Sequence, residues 1–288
     1  EEGISGRLLN IDRDLVLMPS VAIHMNRQVN DGYKWNPAVD TIPLLGGKDA
    51  AGRLEELLEQ EAGGRILGRD LYLYVRQKAS IWGVEEEYIS APGLDDLECV
   101  WACTQGFLQA KQTDAIAVLC AFDDEEVGSN SPQGAASTLL QDTLNRICNA
   151  LQLNPYRMLA QSFMGSAEYA DSTHAPVLGG GVVLKFNANQ RYTTDGVSAA
   201  VFRRICAGAG VPLQDYANRP DIRGGSTLGH ISLTHVSVPT ADVGLAQLAM
   251  HSCYETAAVK DLEYLRTAMT AYYGTVLEAT NDGGCVIR

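Results

Sequence analysis

The sequence predicts an α/β protein in which a domain with a mostly parallel central sheet follows a smaller, β-rich module. Three observations predict it. From about residue 86 onward, short apolar runs alternate with longer stretches that repeat their apolar residues at helical spacing. Several of those short runs are continuously apolar, as strands covered on both faces by helices are. Before residue 86 the apolar residues come in shorter pieces broken by turn residues, which is the habit of β-structure. The change of character divides the chain into 1–85 and 86–288.

Taken in order, residues 7–25 (RLLNIDRDLVLMPSVAIHM) mix apolar runs with turn residues and a proline, and predict β-structure. A loop is expected from Asn26 to Pro37. Between Lys48 and Gly63, Leu54, Leu57 and Leu58 fall at helical spacing. Residues 70–82 (DLYLYVRQKASIW) alternate and are rich in aromatics, predicting a pair of strands. Leu94–Ala110 reads as a helix with Asp95 and Asp96 at its positive end. Ala115–Phe122 is a continuous apolar run and predicts a strand buried on both faces. Ser131-Pro-Gln133 is expected to open a helix running to about Leu151. A strand at Gly181–Phe186, a helix at Val197–Ala209, a strand near Val243 and a helix at Tyr254–Tyr273 complete the alternation.

The bulk numbers exclude several classes. At 288 residues the chain can bury a sizeable core. Its formal charge of −13 disfavours nucleic acid or an anionic membrane as a partner. No apolar run approaches the roughly 20 residues of a membrane-spanning helix, and Glu1-Glu-Gly3 does not resemble a signal peptide. A cytoplasmic protein is expected. The seven cysteines are odd in number, lack a Cys-x-x-Cys and sit mostly in apolar stretches, so reduced, buried thiols are expected. Cys99 and Cys103 share a helix face, which suits core packing.

In open α/β sheets, sites form beyond the carboxyl ends of strands. The run Ala115–Phe122 ends in Asp123, Asp124, Glu125 and Glu126, closed by Val127-Gly-Ser129. Four carboxylates there are costly unless something positive neutralises them. They form either a solvated acidic turn or a divalent-metal site with a neighbouring general base. Asp95 opens a helix and His251 follows the apolar run Leu245–Met250. Each alone suits a structural role. Together with a Glu they form a mixed O and N donor set suited to zinc. The clusters Gly179-Gly-Gly181 and Gly224-Gly-Ser-Thr-Leu-Gly229 match no phosphate-loop pattern and read as turns. No Gly-x-Ser-x-Gly elbow is present.

The stretch FDDEEVGSNSPQGA resembles the central motif of the aspartyl aminopeptidase family of dinuclear zinc peptidases. So do Ala22-Ile-His-Met-Asn-Arg27, Leu94-Asp-Asp-Leu97, VLKFNANQRYTTDG from Val183, GGSTLG from Gly224 and Gln247-Leu-Ala-Met-His-Ser252, in family order along nearly the whole chain. The resemblance implies a three-layer α/β/α metallopeptidase domain with a smaller β-rich domain inserted into it, assembled as a tetrahedral dodecamer that acts on peptides. It implies two zinc ions per subunit, with cobalt or manganese as alternatives. Asp95 would bridge the ions, Glu126 and His251 would complete one zinc, and Glu125 would be the general base. Lys185 and Tyr192 would lie near the pocket for the substrate's first side chain, where Lys185 suits the family's eponymous acidic preference. His24 would reach a neighbouring subunit's site.

Three departures stand out. The family's initial His-x-Asp segment has no counterpart, and after Ser162-Phe-Met the chain passes through Glu168 to His174 without the family's Asp ligand and His-Ala-Val-His-Pro-like run. Position 93 is Gly where the family more often has a basic residue. Glu168 is a candidate stand-in ligand. The expectation is that the protein carries both segments besides these residues, and an intact mass near 31.0 kDa would refute it. The competing function is a non-catalytic oligomeric shell that keeps the scaffold with an incomplete metal site.

Overall fold

The computed structural model describes residues 3–167, 176–217 and 225–288. The chain divides into two units, Glu1–Arg76 and Gln77–Arg288, so the boundary falls some residues before the expected change of character near 85.

In the first unit, α1 (Pro37–Asp40) starts where the Asn36 side chain accepts the Ala38 N–H at 3.1 Å. The longer α2 (Arg53–Ala62) realises the leucine spacing, burying Leu58, and it stops at Gly63, whose φ of 70° suits glycine. Strand pairing is sparser than the apolar runs of residues 7–25 and the alternation of residues 70–82 predict, since only Ser80–Trp82 of the latter forms a strand. Among the described residues of this unit it amounts to one isolated bridge, Leu17 to Leu44. Side chains hold the segment around residue 74 instead. Tyr74 donates its hydroxyl to Asn10 Oδ1 at 3.1 Å, and Arg76 pairs with Asp12 and Asp14 at 3.0 and 2.5 Å.

The second unit opens with β1 (Ser80–Trp82) and β2 (Tyr88–Ala91), then α3 (Leu94–Gln109). After a long irregular segment come α4 (Leu139–Ala150), α5 (Pro155–Ala160), β3 (Met164–Ala167), β4 (Val182–Phe186), α6 (Gly196–Ala209), β5 (Leu213–Ala217), α7 (Leu228–Ser232), β6 (Thr240–Gly244), β7 (Gln247–Leu248), β8 (Glu255–Ala258), α8 (Val259–Tyr273), β9 (Leu277–Ala279) and β10 (Cys285–Ile287). This is the expected α/β class. One sheet has the order β3-β6-β4-β5, with β3/β6 and β4/β5 parallel and β4/β6 antiparallel. A second, antiparallel sheet has the order β1-β2-β8-β7, and β9 and β10 form a hairpin.

Strand β4 shows how the two faces of one sheet bury different partners. Val182 and Leu184 alternate onto the face that packs with Phe202 and Cys206 of α6 and Leu265 and Met269 of α8. Val183 packs on Tyr192 and Tyr216, and the adjoining Lys185 places its ammonium over the Tyr192 ring. Cys99 and Cys103 enter the main core, as their shared face predicts. Helices α3 and α8 touch closely because Gly106 has no side chain; a Cβ there would lie 2.7 Å from Met269 Cβ.

Three expectations are corrected. Ala115–Phe122 forms no strand and is largely exposed, with Ile116 43% accessible. An apolar run becomes a strand only where a neighbour completes its ladder, and no described residue pairs with this one. The helix expected from Ser131 begins at Leu139, because turns closed by Gly134 N–H to Ser131 O and Ser137 N–H to Gly134 O occupy the intervening residues. The stretch expected as helix from Tyr254 first forms β8, then turns helical at Val259. Among the described residues, no helix is long and apolar enough to cross a membrane.

Candidate metal centre

Three chain segments deliver one donor each. Strand β2 leads through Gly93, at φ 68°, into α3, where Asp95 departs from helical geometry with ψ 116°. The acidic turn after Phe122 carries Glu126. It is closed by Ser129 N–H to Asp124 O and Gly128 N–H to Glu125 O, both at 2.8 Å, with Asp124 and Ser129 at positive φ. Asp123 acts as a local support, accepting the Asp124 N–H at 2.8 Å. Gly134 lies against this turn so tightly that a Cβ would sit 2.2 Å from Ser129 O. His251 follows β7 at φ 62°. A left-handed residue that is not glycine persists only where its surroundings hold it.

The donors converge. His251 Nε2 lies 2.9 Å from Asp95 Oδ2 and 3.6 Å from Glu126 Oε2, and all three ligand atoms fall within 4.8 Å of one another. The Asp95 side chain is 7% exposed, whereas Glu126 and His251 are open to solvent. Burial and then the Asp95 carboxylate lift the Glu126 carboxyl above its ordinary range, against the pull of His251. Glu125, half-buried beside it, is lifted by burial and by Asp95, while His251 and Lys185 oppose the shift. Two carboxylates facing each other around one imidazole nitrogen repel unless a cation joins them. Two oxygens and one nitrogen at this separation suit zinc, so the residues present fit that ion.

The structure therefore gathers Asp95, Glu126 and His251, with Glu125 next to them in the chain. It also joins Lys185 and Tyr192, in a buried compartment. Lys185 is fully buried, its Nζ 3.2 Å from Asp242 Oδ1 and 5.1 Å from the centre of the Tyr192 ring. Asp242 Oδ2 accepts the Thr227 hydroxyl and, at 3.4 Å, the Thr193 N–H. Thr227 of the GGSTLG run thus serves this carboxylate. His24 belongs to the first unit, exposed in a turn closed by Met25 N–H to Ala22 O at 2.8 Å. Glu168, His174 and Gly224 lie outside the described residues. Sequence reasoning missed Asp242 and Glu255. The signal for Asp242 was a charge inside the otherwise uncharged strand TADVG. For Glu255 it was an acid at the start of a buried segment that reads as helix.

The sequence profile described as "Aminopeptidase I zinc metalloprotease (M18)" matches residues 1–273. The chain belongs to that family. This is the family that the FDDEEVGSNSPQGA motif resembles. A "Probable M18 family aminopeptidase 2" from Clostridium acetobutylicum is 39% identical over 288 residues, covering 93% of this chain and 66% of the relative. The M18 chain thus spans about two thirds of the length of the curated relatives it matches. A structure described as the cryo-EM structure of the Ape4 and Nbr1 complex superposes with a TM-score of 0.78 at 29% identity, over 92% of this chain and 58% of that one. The crystal structure of prApe1 superposes at 0.81 with 23% identity, over 91% and 63%, and supports the fold alone.

Proposed function

We propose that this M18 chain is a zinc-dependent aminopeptidase that hydrolyses the N-terminal peptide bond of peptides. The observation that carries the reading is the convergence of Asp95, Glu126 and His251 within 4.8 Å, with the carboxylate of Glu125 supplied by the neighbouring residue. When bound by these three residues, zinc supplies Lewis acidity toward the scissile carbonyl and acidifies water. Glu125 takes the proton from the attacking water and returns it to the departing amine, as a general base and then acid. Adjacent residues divide the work because successive side chains leave the backbone in different directions. Two ions per subunit, with cobalt or manganese as substitutes, belong to the same proposal.

The acidic first-residue preference is its finer part. Lys185 supplies the positive charge, but Asp242 already accompanies that ammonium at 3.2 Å in a fully buried pair. A compensated pair attracts an acidic side chain less than a bare lysine does. Acidic first residues are therefore accepted with a modest advantage over neutral ones. The unit Glu1–Arg76 is proposed as an inserted oligomerisation domain, presenting His24 to a neighbouring subunit of a tetrahedral dodecamer. Its exposed Met25, Trp35 and Tyr72 support burial against a partner.

The test is release of the first residue from aminoacyl reporters carrying Asp, Glu, Ala and Leu, with and without a chelator. Turnover that stops on chelation and returns with zinc supports the enzyme. No turnover on any reporter by zinc-loaded protein overturns it in favour of the non-catalytic shell. Mass determination in solution decides the assembly.

A further inference from the structure

We infer that Glu255, a residue outside the ligand set, is a positioning residue that sets the spacing between two of the zinc-binding side chains. The inference rests on the reading of Asp95, Glu126 and His251 as ligands. Glu255 is the first residue of β8 and is 2% exposed. Its backbone is already held by the sheet, where it stands opposite Ala91 of β2. Its side chain does something else. Oε2 accepts the Asp95 N–H at 3.1 Å and Oε1 accepts the His251 N–H at 2.8 Å, so one carboxylate ties together the backbones of two ligands that are 156 residues apart in the chain.

Those amides need such a tie. Asp95 leaves helical geometry at ψ 116° and His251 stands at φ 62°, so neither N–H has a place in a regular ladder. A buried N–H without a partner is costly, and an acceptor that satisfies both at once also fixes where both side chains begin. The chemistry selects a carboxylate. Two N–H groups arriving from different directions need two acceptor oxygens, and glutamine offers one oxygen and one NH₂ that would face a donor. Aspartate has the two oxygens but lacks the methylene that lets them reach. Burying a carboxylate so close to Asp95 adds negative charge to a site already crowded with it. That is unfavourable for a purely structural tie, and favourable where a divalent cation completes the group.

The experiment compares the parent protein with Glu255→Gln and Glu255→Asp. The zinc dissociation constant is measured by competition with a chromophoric chelator, and thermal unfolding is followed with and without zinc. In the parent, zinc binds and raises the unfolding temperature. Both variants are expected to bind zinc about 10–100-fold more weakly, the loss usual for groups that orient metal ligands. The zinc-induced rise in unfolding temperature shrinks accordingly, and the absorption spectrum of bound cobalt changes. Glu255→Asp, which keeps the charge, serves if Glu255→Gln does not fold. Zinc affinity within threefold of the parent, with zinc-free and zinc-loaded forms destabilised equally, would overturn the inference and leave Glu255 a structural tie. A parent that binds no zinc would instead overturn the ligand assignment beneath it.

Discussion

Lys185→Met tests whether the Lys185–Asp242 pair is a structural element of the core. Both side chains are fully buried, with Nζ 3.2 Å from Oδ1. At that separation, with an effective dielectric constant of about 20, the attraction is about 5 kcal/mol. Methionine has similar length and volume, so it leaves little cavity, and the damage comes from abandoning the Asp242 charge. Thr227 and the Thr193 N–H still face its Oδ2, but among the described residues no other cation pairs with it. Removing one member of a buried pair costs about 3–5 kcal/mol. For a unit of this size that lowers the unfolding temperature by about 6–20 °C. The assay is calorimetric and urea unfolding of the parent, Lys185→Met, Asp242→Asn and the double variant. The double is expected to be more stable than Lys185→Met alone, with a coupling of about 2 kcal/mol. A loss below about 1 kcal/mol for Lys185→Met, or strictly additive effects, refutes the reasoning.

The other expectations concern the acidic turn, a second buried carboxylate and the thiols. Glu125→Gln is expected to lower kcat about 10²–10⁴-fold while zinc content stays at the parent's value; turnover rates with metal analysis of the same samples check both halves. Gly134→Ala forces a Cβ to 2.2 Å from Ser129 O, so the turn carrying Glu125 and Glu126 must shift, costing about 1–3 kcal/mol and weakening zinc binding; urea midpoints and chelator competition measure it. Asp261 accepts Gly179 N–H at 2.7 Å and Gly181 N–H at 2.8 Å, one on each oxygen, and Asp261→Asn presents a donor to one of them at about 1–3 kcal/mol, read from the urea midpoint. Burial pushes the Cys103 and Cys206 thiols up to about 12, leaving a thiolate fraction on the order of 10⁻⁴ at pH 8. Maleimide labelling followed by peptide mass mapping should find both unmodified until the protein is unfolded.

Local pattern was enough for elements whose stability is local. The helix at Leu94–Gln109 and the buried strand Val182–Phe186 lie where the sequence places them, because periodicity and a continuous apolar run report burial directly. The same logic failed for Ala115–Phe122, since a strand is completed by a neighbour that no local pattern reveals. It failed again at Ser131–Thr138, where close approach of Gly134 to Ser129 favours turns over an early helix.

By itself the sequence determined the α/β class, the family resemblance and the acidic turn, because those depend on residue types and their order, and the resemblance implied three candidate donors. Only the tertiary structure decided that Asp95, Glu126 and His251 meet within 4.8 Å, that Asp242 compensates Lys185, and that Glu255 accepts the backbone amides of both Asp95 and His251. Apart from the four-residue link between His251 and Glu255, each of these is a contact between residues distant in the chain. A charge's meaning depends on what lies within a few ångströms of it, and the fold sets that.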